Sequence, residues 1–262
     1  MKDLFSLEGE VIVVTGGSGF FGSAMAEGFL EFGASVMLAD IRTTEESESK
    51  LNGKSYPGRL SSAYCDVSDT ASIREMFRTT KERFGKVTVL VNNAYIGAAY
   101  GGKMEHMSDE DWQKGFDGAG GTAFRCTREA VPYLEEKGGA VINIASMYGI
   151  VSPDPRIYGD SGANNPANYG AGKAAVLQLT RYCAGHLAAK GIRVNSITPG
   201  PFPHPAIVEN QPEFVRKLED KTMLGRVGQR HEIVGAAVLL ASRASGFMTG
   251  ANIVIDGGWT AW

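Results

Sequence analysis

Short runs of branched aliphatic residues, apolar at successive positions, recur along this chain and alternate with stretches of helical period. Val11-Ile-Val-Val14, Ser35-Val-Met-Leu-Ala39, Val87-Thr-Val-Leu-Val91, Ala140-Val-Ile-Asn-Ile144, Arg193-Val-Asn-Ser-Ile197 and Asn252-Ile-Val-Ile255 have the length and composition of strands, and Leu60 to Tyr64 is a weaker seventh. A strand that is apolar on both faces must be covered on both, which is the condition of a parallel sheet packed between helices. Helical periodicity falls at about 21–32, 69–84, 109–135, 168–190 and 230–242. Ser68 is placed to cap the second of these segments, and Gly33, Gly85 and Gly191 follow helices where a left-handed residue is needed. The pattern predicts one α/β domain over residues 1–262, a doubly wound parallel sheet of about seven strands with helices on both faces. No shift in composition and no Pro/Ser-rich linker divides it.

In such a sheet ligands bind beyond the carboxyl ends of the strands. Those ends are Thr15, Ala39, Asp66, Asn92, Ser146 and Pro199, and most of the chemically interesting residues gather there. Thr15-Gly-Gly-Ser-Gly-Phe-Phe-Gly22 joins the first strand to the first helix. Glycines at Gly16, Gly19 and Gly22 let the backbone turn tightly and approach a pyrophosphate, while the helix start offers free N–H groups, those of Ser18 and Phe21 included. Asp40, beside Ile41 at the end of the second strand, is placed to accept hydrogen bonds from ribose hydroxyls and to repel a 2′-phosphate, which points to NAD. Arg42 tempers that expectation, since an arginine nearby can accommodate a phosphate.

Tyr169 and Lys173 lie four apart on a helical stretch, so both side chains fall on one face and the ammonium can sit beside the phenol. A fixed cation eases ionisation of a phenol, and a tyrosine so placed can exchange a proton with an alcohol or carbonyl near neutral pH. Spacing alone does not decide this. Tyr133 and Lys137 share it, but at a polar helix end followed by Gly138-Gly139.

The formal charge of −3 and the lack of a basic cluster give no reason to expect nucleic acid as a partner. Three widely spaced cysteines, Cys65, Cys126 and Cys183, argue against a disulfide framework and are expected to be buried, reduced thiols. His106, His186, His204 and His231 lack paired metal-ligand spacing, so no metal is expected, although His204 could touch substrate. The first apolar run is too short for a signal peptide and no stretch has the length of a membrane span, which leads to an expectation of a cytoplasmic protein with no membrane partner.

With the glycine turn, Asp66-Val67 after the third strand, Asn92-Asn93-Ala94 after the fourth, Ser146 after the fifth, Tyr169 with Lys173, and Asn195-Ser-Ile-Thr-Pro199-Gly200 in this order, the chain resembles the short-chain dehydrogenase/reductase family over essentially its whole length. The resemblance implies a Rossmann-type subunit, a nicotinamide cofactor, a small-molecule substrate and a homotetramer or dimer. It implies Tyr169 as the acid/base, Lys173 as the group that lowers its pKa and bonds the nicotinamide ribose, and Ser146 as the polariser of the substrate oxygen. Asp66 and Val67 then contact adenine, Asn93, Ala94 and Tyr95 line the cofactor ribose region, and Pro199, Gly200 and Phe202 flank the nicotinamide. The activity expected is NAD(H)-dependent interconversion of a secondary alcohol and a ketone, on a sugar-like or polyhydroxylated compound.

The sequence departs from the family pattern in several places. Phe20 stands where the short branch has glycine, giving the spacing of the extended sugar-epimerase branch. Tyr95 replaces the glycine after Asn-Asn-Ala, Ala119 falls at the family's helix asparagine, and His204 replaces a threonine. Ser146 and Tyr169 are 23 residues apart, further than usual, and the added stretch around 153–166 is polar and turn-rich. Substrate-side loops are expected at about 147–167 and 200–225. The insertion, Asn-Asn-Ala-Tyr95 and the ending Asp256-Gly-Gly-Trp-Thr-Ala-Trp262 are similar to members linked to bacterial surface-sugar and flagellin-glycan synthesis. The glycine spacing leaves open an NAD-retaining sugar epimerase or dehydratase, and Ala119 leaves open a catalytically silent nucleotide-binding protein. Gly159-Asp-Ser-Gly162 has the string of a serine-protease nucleophile but no supporting histidine and acid.

Overall fold

A computed structural model of the chain describes residues 2–43, 50–51, 53–97 and 103–262. Its centre is a seven-stranded sheet made of β1 (Val11–Thr15), β2 (Ser35–Asp40), β5 (Leu60–Tyr64), β6 (Val89–Asn92), β7 (Gly139–Ile144), β8 (Ile192–Pro199) and β9 (Asn252–Ile255), in the spatial order β5-β2-β1-β6-β7-β8-β9. Every pairing in it is parallel, from Val36↔Leu60 at one edge to Pro199↔Ile255 at the other. A separate two-stranded hairpin, β3 (Lys50–Leu51) with β4 (Lys54–Ser55), precedes β5. Strand order reverses between β1 and β6, and such a reversal opens a crevice at the carboxyl ends.

The alternation of side chains along β1 divides the core. Ile12 and Val14 pack on one side with Met25, Phe29 and Leu30 of α1 (Phe20–Glu31) and Ala237 and Val238 of α8 (Val234–Ala241). Val13 packs on the other with Ile73, Met76 and Phe77 of α2 (Thr70–Phe84) and with Cys126 and Ala130 of α4 (Thr122–Leu134). Both faces are therefore covered by helices, as expected of strands apolar at successive positions. A buried polar ladder crosses the sheet: Asn92 Nδ2 donates to Asn143 Oδ1 at 2.7 Å and to Thr127 Oγ1 at 2.9 Å, and Asn143 Nδ2 donates to Thr180 Oγ1 at 2.8 Å on α5 (Ala167–Leu187). It fixes α4 and α5 against the strand ends that carry the chemistry.

Several local expectations are corrected. The cap of α2 is Asp69, whose carboxylate accepts from the N–H groups of Ala71 and Ser72, while Ser68 donates to Asp66. A carboxylate reaches the first-turn amides and favours the positive helix end, so it outcompetes the serine one residue earlier. The helix expected over 109–135 is broken into α3 (Asp109–Phe116) and α4 by a wide π turn at Asp117–Gly121. Gly118, Gly120 and Gly121 lie in that turn, and a Cβ at Gly118 would stand 1.7 Å from the Ile96 carbonyl oxygen, so the chain widens where another segment crosses it. The segment after β8 carries two short proline-initiated helices, α6 (Pro205–Asn210) and α7 (Pro212–Glu219). Cys65 and Cys126 are buried, whereas Cys183 is partly exposed. Among the described residues no helix is long and apolar enough to cross a membrane.

Candidate active site

The turn after β1 is stitched to the end of β6. Thr15 Oγ1 accepts from the backbone N–H groups of Asn93 (3.0 Å) and Ala94 (3.1 Å), while Asn93 Nδ2 donates to the carbonyls of Thr15 and Gly16. The Asn93 amide is thus engaged in bracing the turn. Gly16 has φ +62°, and a Cβ at Gly22 would lie 2.1 Å from the Gly16 carbonyl oxygen, so the first helical turn closes on the loop only with glycine there. Gly19 caps α1 with extended backbone and no side chain, which leaves the helix N-terminus open to an anion.

Asp40 is 5% exposed, and its carboxylate accepts from the Ser18 N–H at 3.0 Å and the Arg42 N–H at 2.9 Å. The Arg42 guanidinium, 75% exposed, approaches to 3.8 Å. These groups border a cavity of about 510 Å³ at the β1/β6 reversal. Of the residues singled out in the sequence, Gly16, Gly19, Phe21, Asp40, Ile41, Asp66, Val67, Asn93, Ala94 and Tyr95 line it. Ser18 and Gly22 shape the turn behind it. Phe20, Arg42, Cys65, Ser68 and Ile96 also line the cavity, and only adjacency to motif residues could have pointed to the last three.

Ser146 follows β7 and Tyr169 lies in the first turn of α5. The Ser146 hydroxyl lies close enough to the Tyr169 phenol to ease its ionisation, and it accepts from the Tyr148 N–H at 3.2 Å. Lys173, 5% exposed, directs Nζ to the Ile144 carbonyl oxygen at 2.8 Å and lies 5.9 Å from the centre of the Tyr169 ring. The structure therefore brings Ser146, Tyr169 and Lys173 together. It also corrects the expected electrostatics. Burial pushes the Tyr169 phenol above its ordinary value, opposed by the neighbouring Ser146 hydroxyl, while burial lowers Lys173 to about 8. The ammonium donates to a carbonyl and stands over the ring, and desolvation is the largest influence on both groups. Tyr95 links the two regions: it lines the cavity and meets the Tyr169 ring edge-on, 5.1 Å between centroids at 84°.

Pro199 ends β8, and Gly200 donates to the Ile255 carbonyl; a Cβ there would stand 2.5 Å from Asp256 Cα. Pro199 and Gly200 lie outside the cavity lining, and Phe202 borders a smaller recess beside it. Phe202 reaches back to Phe21 at 5.2 Å, and His204 to Phe20 at 5.5 Å. Two departures from the family pattern, Phe20 and His204, are thus in contact, so the histidine meets an aromatic ring of α1. The insertion is pinned by Asp154, which pairs with Arg156 and Lys221, and by Tyr158 stacked on Phe214 of α7. Ala119 is buried against Ala123, Ala145 and Val176, an apolar seat.

A family model described as enoyl-(acyl carrier protein) reductase matches residues 19–260. The chain is 32% identical over 254 residues, 96% of its length and 98% of the relative's, to a 3-oxoacyl-(acyl-carrier-protein) reductase of Thermotoga maritima. It belongs to the short-chain dehydrogenase/reductase family. This family member of 262 residues is also 34% identical to the meso-2,3-butanediol dehydrogenase of Serratia marcescens, over 97% of this chain and 96% of that one. Similar identity, 34% over 97% of this chain and 98% of the relative, links it to an NADP-dependent (R)-specific alcohol dehydrogenase of Lentilactobacillus kefiri. Among solved structures, a short-chain dehydrogenase of Leptospira borgpetersenii with bound NAD+ superposes with a TM-score of 0.83 at 30% identity, covering 97% of this chain and 93% of that one. The glycine cradle, open helix start and acid-ended β2 of this dehydrogenase/reductase fit a nicotinamide dinucleotide.

Proposed function

We propose that this short-chain dehydrogenase/reductase is an NAD(H)-dependent oxidoreductase that interconverts a secondary alcohol and a ketone, with Tyr169 as the acid/base. The observation that carries the proposal is the Ser146 hydroxyl close to a partly buried Tyr169 phenol beside Lys173, at the carboxyl end of the sheet next to a dinucleotide-sized cavity. A nicotinamide, when bound, supplies or accepts the hydride. Gly16, Ser18, Gly19 and Phe21 would hold the phosphates, Asp40 and Ile41 the adenosine ribose region, Asp66 and Val67 the adenine, and Asn93 to Tyr95 with Pro199, Gly200 and Phe202 the remainder. Ser146 orients the substrate oxygen through its hydroxyl. Tyr169, held neutral by burial, has a proton to give to a carbonyl oxygen, and it receives one from an alcohol once ionised. Packing around the pair excludes water and fixes these groups in advance.

NAD is favoured over NADP because the Asp40 carboxylate is buried at the cavity wall while Arg42 is turned largely to solvent. The insertion rich in hydroxyl and amide side chains supports a polyhydroxylated substrate, and relatives named as a butanediol dehydrogenase and a sorbose reductase fit that class. Self-association is supported by Phe124 and Tyr182, 48% and 65% exposed, which flank one hollow between α4 and α5. The test is NADH absorbance with a panel of polyols, diols and keto-sugars. Tyr169→Phe is expected to cut turnover by about 10²- to 10⁴-fold while NAD affinity stays near that of the parent. Undiminished turnover in that variant would overturn the assignment.

A further inference from the structure

The buried ammonium of Lys173 is held in an unusual way for a charged group. Among the described residues Nζ has one hydrogen-bond acceptor, the Ile144 carbonyl oxygen at 2.8 Å. Among the described residues no carboxylate compensates: burial is what acts on Lys173. Aromatic faces stand instead. Nζ lies 5.6 Å from the centre of the Tyr95 ring and 5.9 Å from that of Tyr169, both within the range in which a ring quadrupole attracts a cation.

The Tyr95 ring has a constructed seat. Tyr95 follows the Asn92-Asn93-Ala94 end of β6, where Asn93 and Ala94 are tied to Thr15, so its backbone is anchored. Its ring packs on the cluster containing Ala119 and Val176, and a Cβ on Gly97 would come within 2.2 Å of that ring, so the chain folds back over it closely. Its edge-on contact with Tyr169 fixes the second ring relative to the first.

We propose that Tyr95 is a positioning residue of the proton-handling pair: its ring face holds the Lys173 ammonium and its contact with Tyr169 keeps the phenol in line beside it. The aromatic face does this, and not the hydroxyl. Burial raises the Tyr95 phenol to about 12, so it stays neutral across the working range and offers no counter-charge. Among the described residues the titratable groups facing Lys173 are Tyr169 on its own helix and Tyr95 on the segment after β6.

The proposal rests on the role given to Tyr169 and Lys173 above, and its test reads Lys173 without turnover. Lysine labelled with ¹³C at Cε is titrated by NMR in the parent, Tyr95→Phe, Tyr95→Leu and Tyr95→Met, with the Lys173 signal assigned by its loss in Lys173→Arg. Tyr95→Phe keeps the ring face and is expected to titrate with the parent. Tyr95→Leu and Tyr95→Met keep an apolar side chain without a quadrupole, and either should reduce the proton affinity of Lys173 about tenfold. Their kcat near pH 8 should fall severalfold with KM little changed. Parental titration in the folded Leu and Met variants would overturn the proposal, as would a Phe variant whose Lys173 titrates as theirs does. An unimpaired Tyr169→Phe enzyme would instead sink the catalytic reading and leave the NMR result standing on its own.

Discussion

Lys173→Met separates what this lysine does for chemistry from what it costs the fold. Burial lowers Lys173 from 10.5 to about 8, so a charge is carried into the core at neutral pH. At ~1.4 kcal/mol per pH unit, that difference is a charge-burial cost of about 3 kcal/mol. Methionine removes the cost but leaves the Ile144 carbonyl without its partner, a loss of about 1–3 kcal/mol. The variant should therefore equal the parent or exceed it by up to ~2 kcal/mol at pH 7 while losing turnover. Below pH 8 the lysine is protonated in both folded and unfolded chains, and the fold bears the full cost. Between about 8 and 10.5 the folded lysine is neutral while the unfolded one is still charged, so the parent gains stability as pH rises. Urea unfolding of both proteins at pH 7 and pH 9.5 should show the difference moving toward the parent by ~2 kcal/mol. A difference that is the same at both pH values, or that moves toward the variant, would refute the argument.

Asp40→Asn keeps an oxygen for only one of the Ser18 and Arg42 amides, which donate to different carboxylate oxygens, and removes the charge, so the ratio of kcat/KM for NADH over NADPH should fall by about tenfold to several hundredfold, on the ~1–4 kcal/mol per charge pair expected at a partly buried wall; a parent that already prefers NADPH would show the carboxylate does not select. Gly22→Ala puts a methyl 2.1 Å from the Gly16 carbonyl oxygen, and NADH affinity followed by fluorescence should weaken at least ~10-fold, because backbone rather than a flexible side chain must yield. Asp69→Ala removes two hydrogen bonds from the start of α2 and should lower unfolding free energy by about 1 kcal/mol without altering turnover.

Much of the frame was legible because its signals are local. Seven runs of apolar residues specified seven strands, and the glycine turn placed an anion cradle before α1, since only glycine tolerates φ +62° at Gly16 and the close approach at Gly22. Asp40 could be placed on β2 by counting. Other elements carry no such signal. Two-residue strands such as Lys50–Leu51 are too short to show a period, and the π turn at Asp117–Gly121 keeps helical spacing on both sides, so the segment read as one helix.

The sequence by itself determined the order of strands and helices and the identity of the residues at the strand ends, because hydrophobic period and glycine content act over a few positions. Tertiary packing alone decided how those residues meet. Phe20 and His204 lie far apart in the chain and share one contact, and Tyr95 reaches Lys173 across the gap between a strand end and a helix. The phenol of Tyr169 rises instead of falling because burial sets its environment, and burial depends on the whole surrounding core.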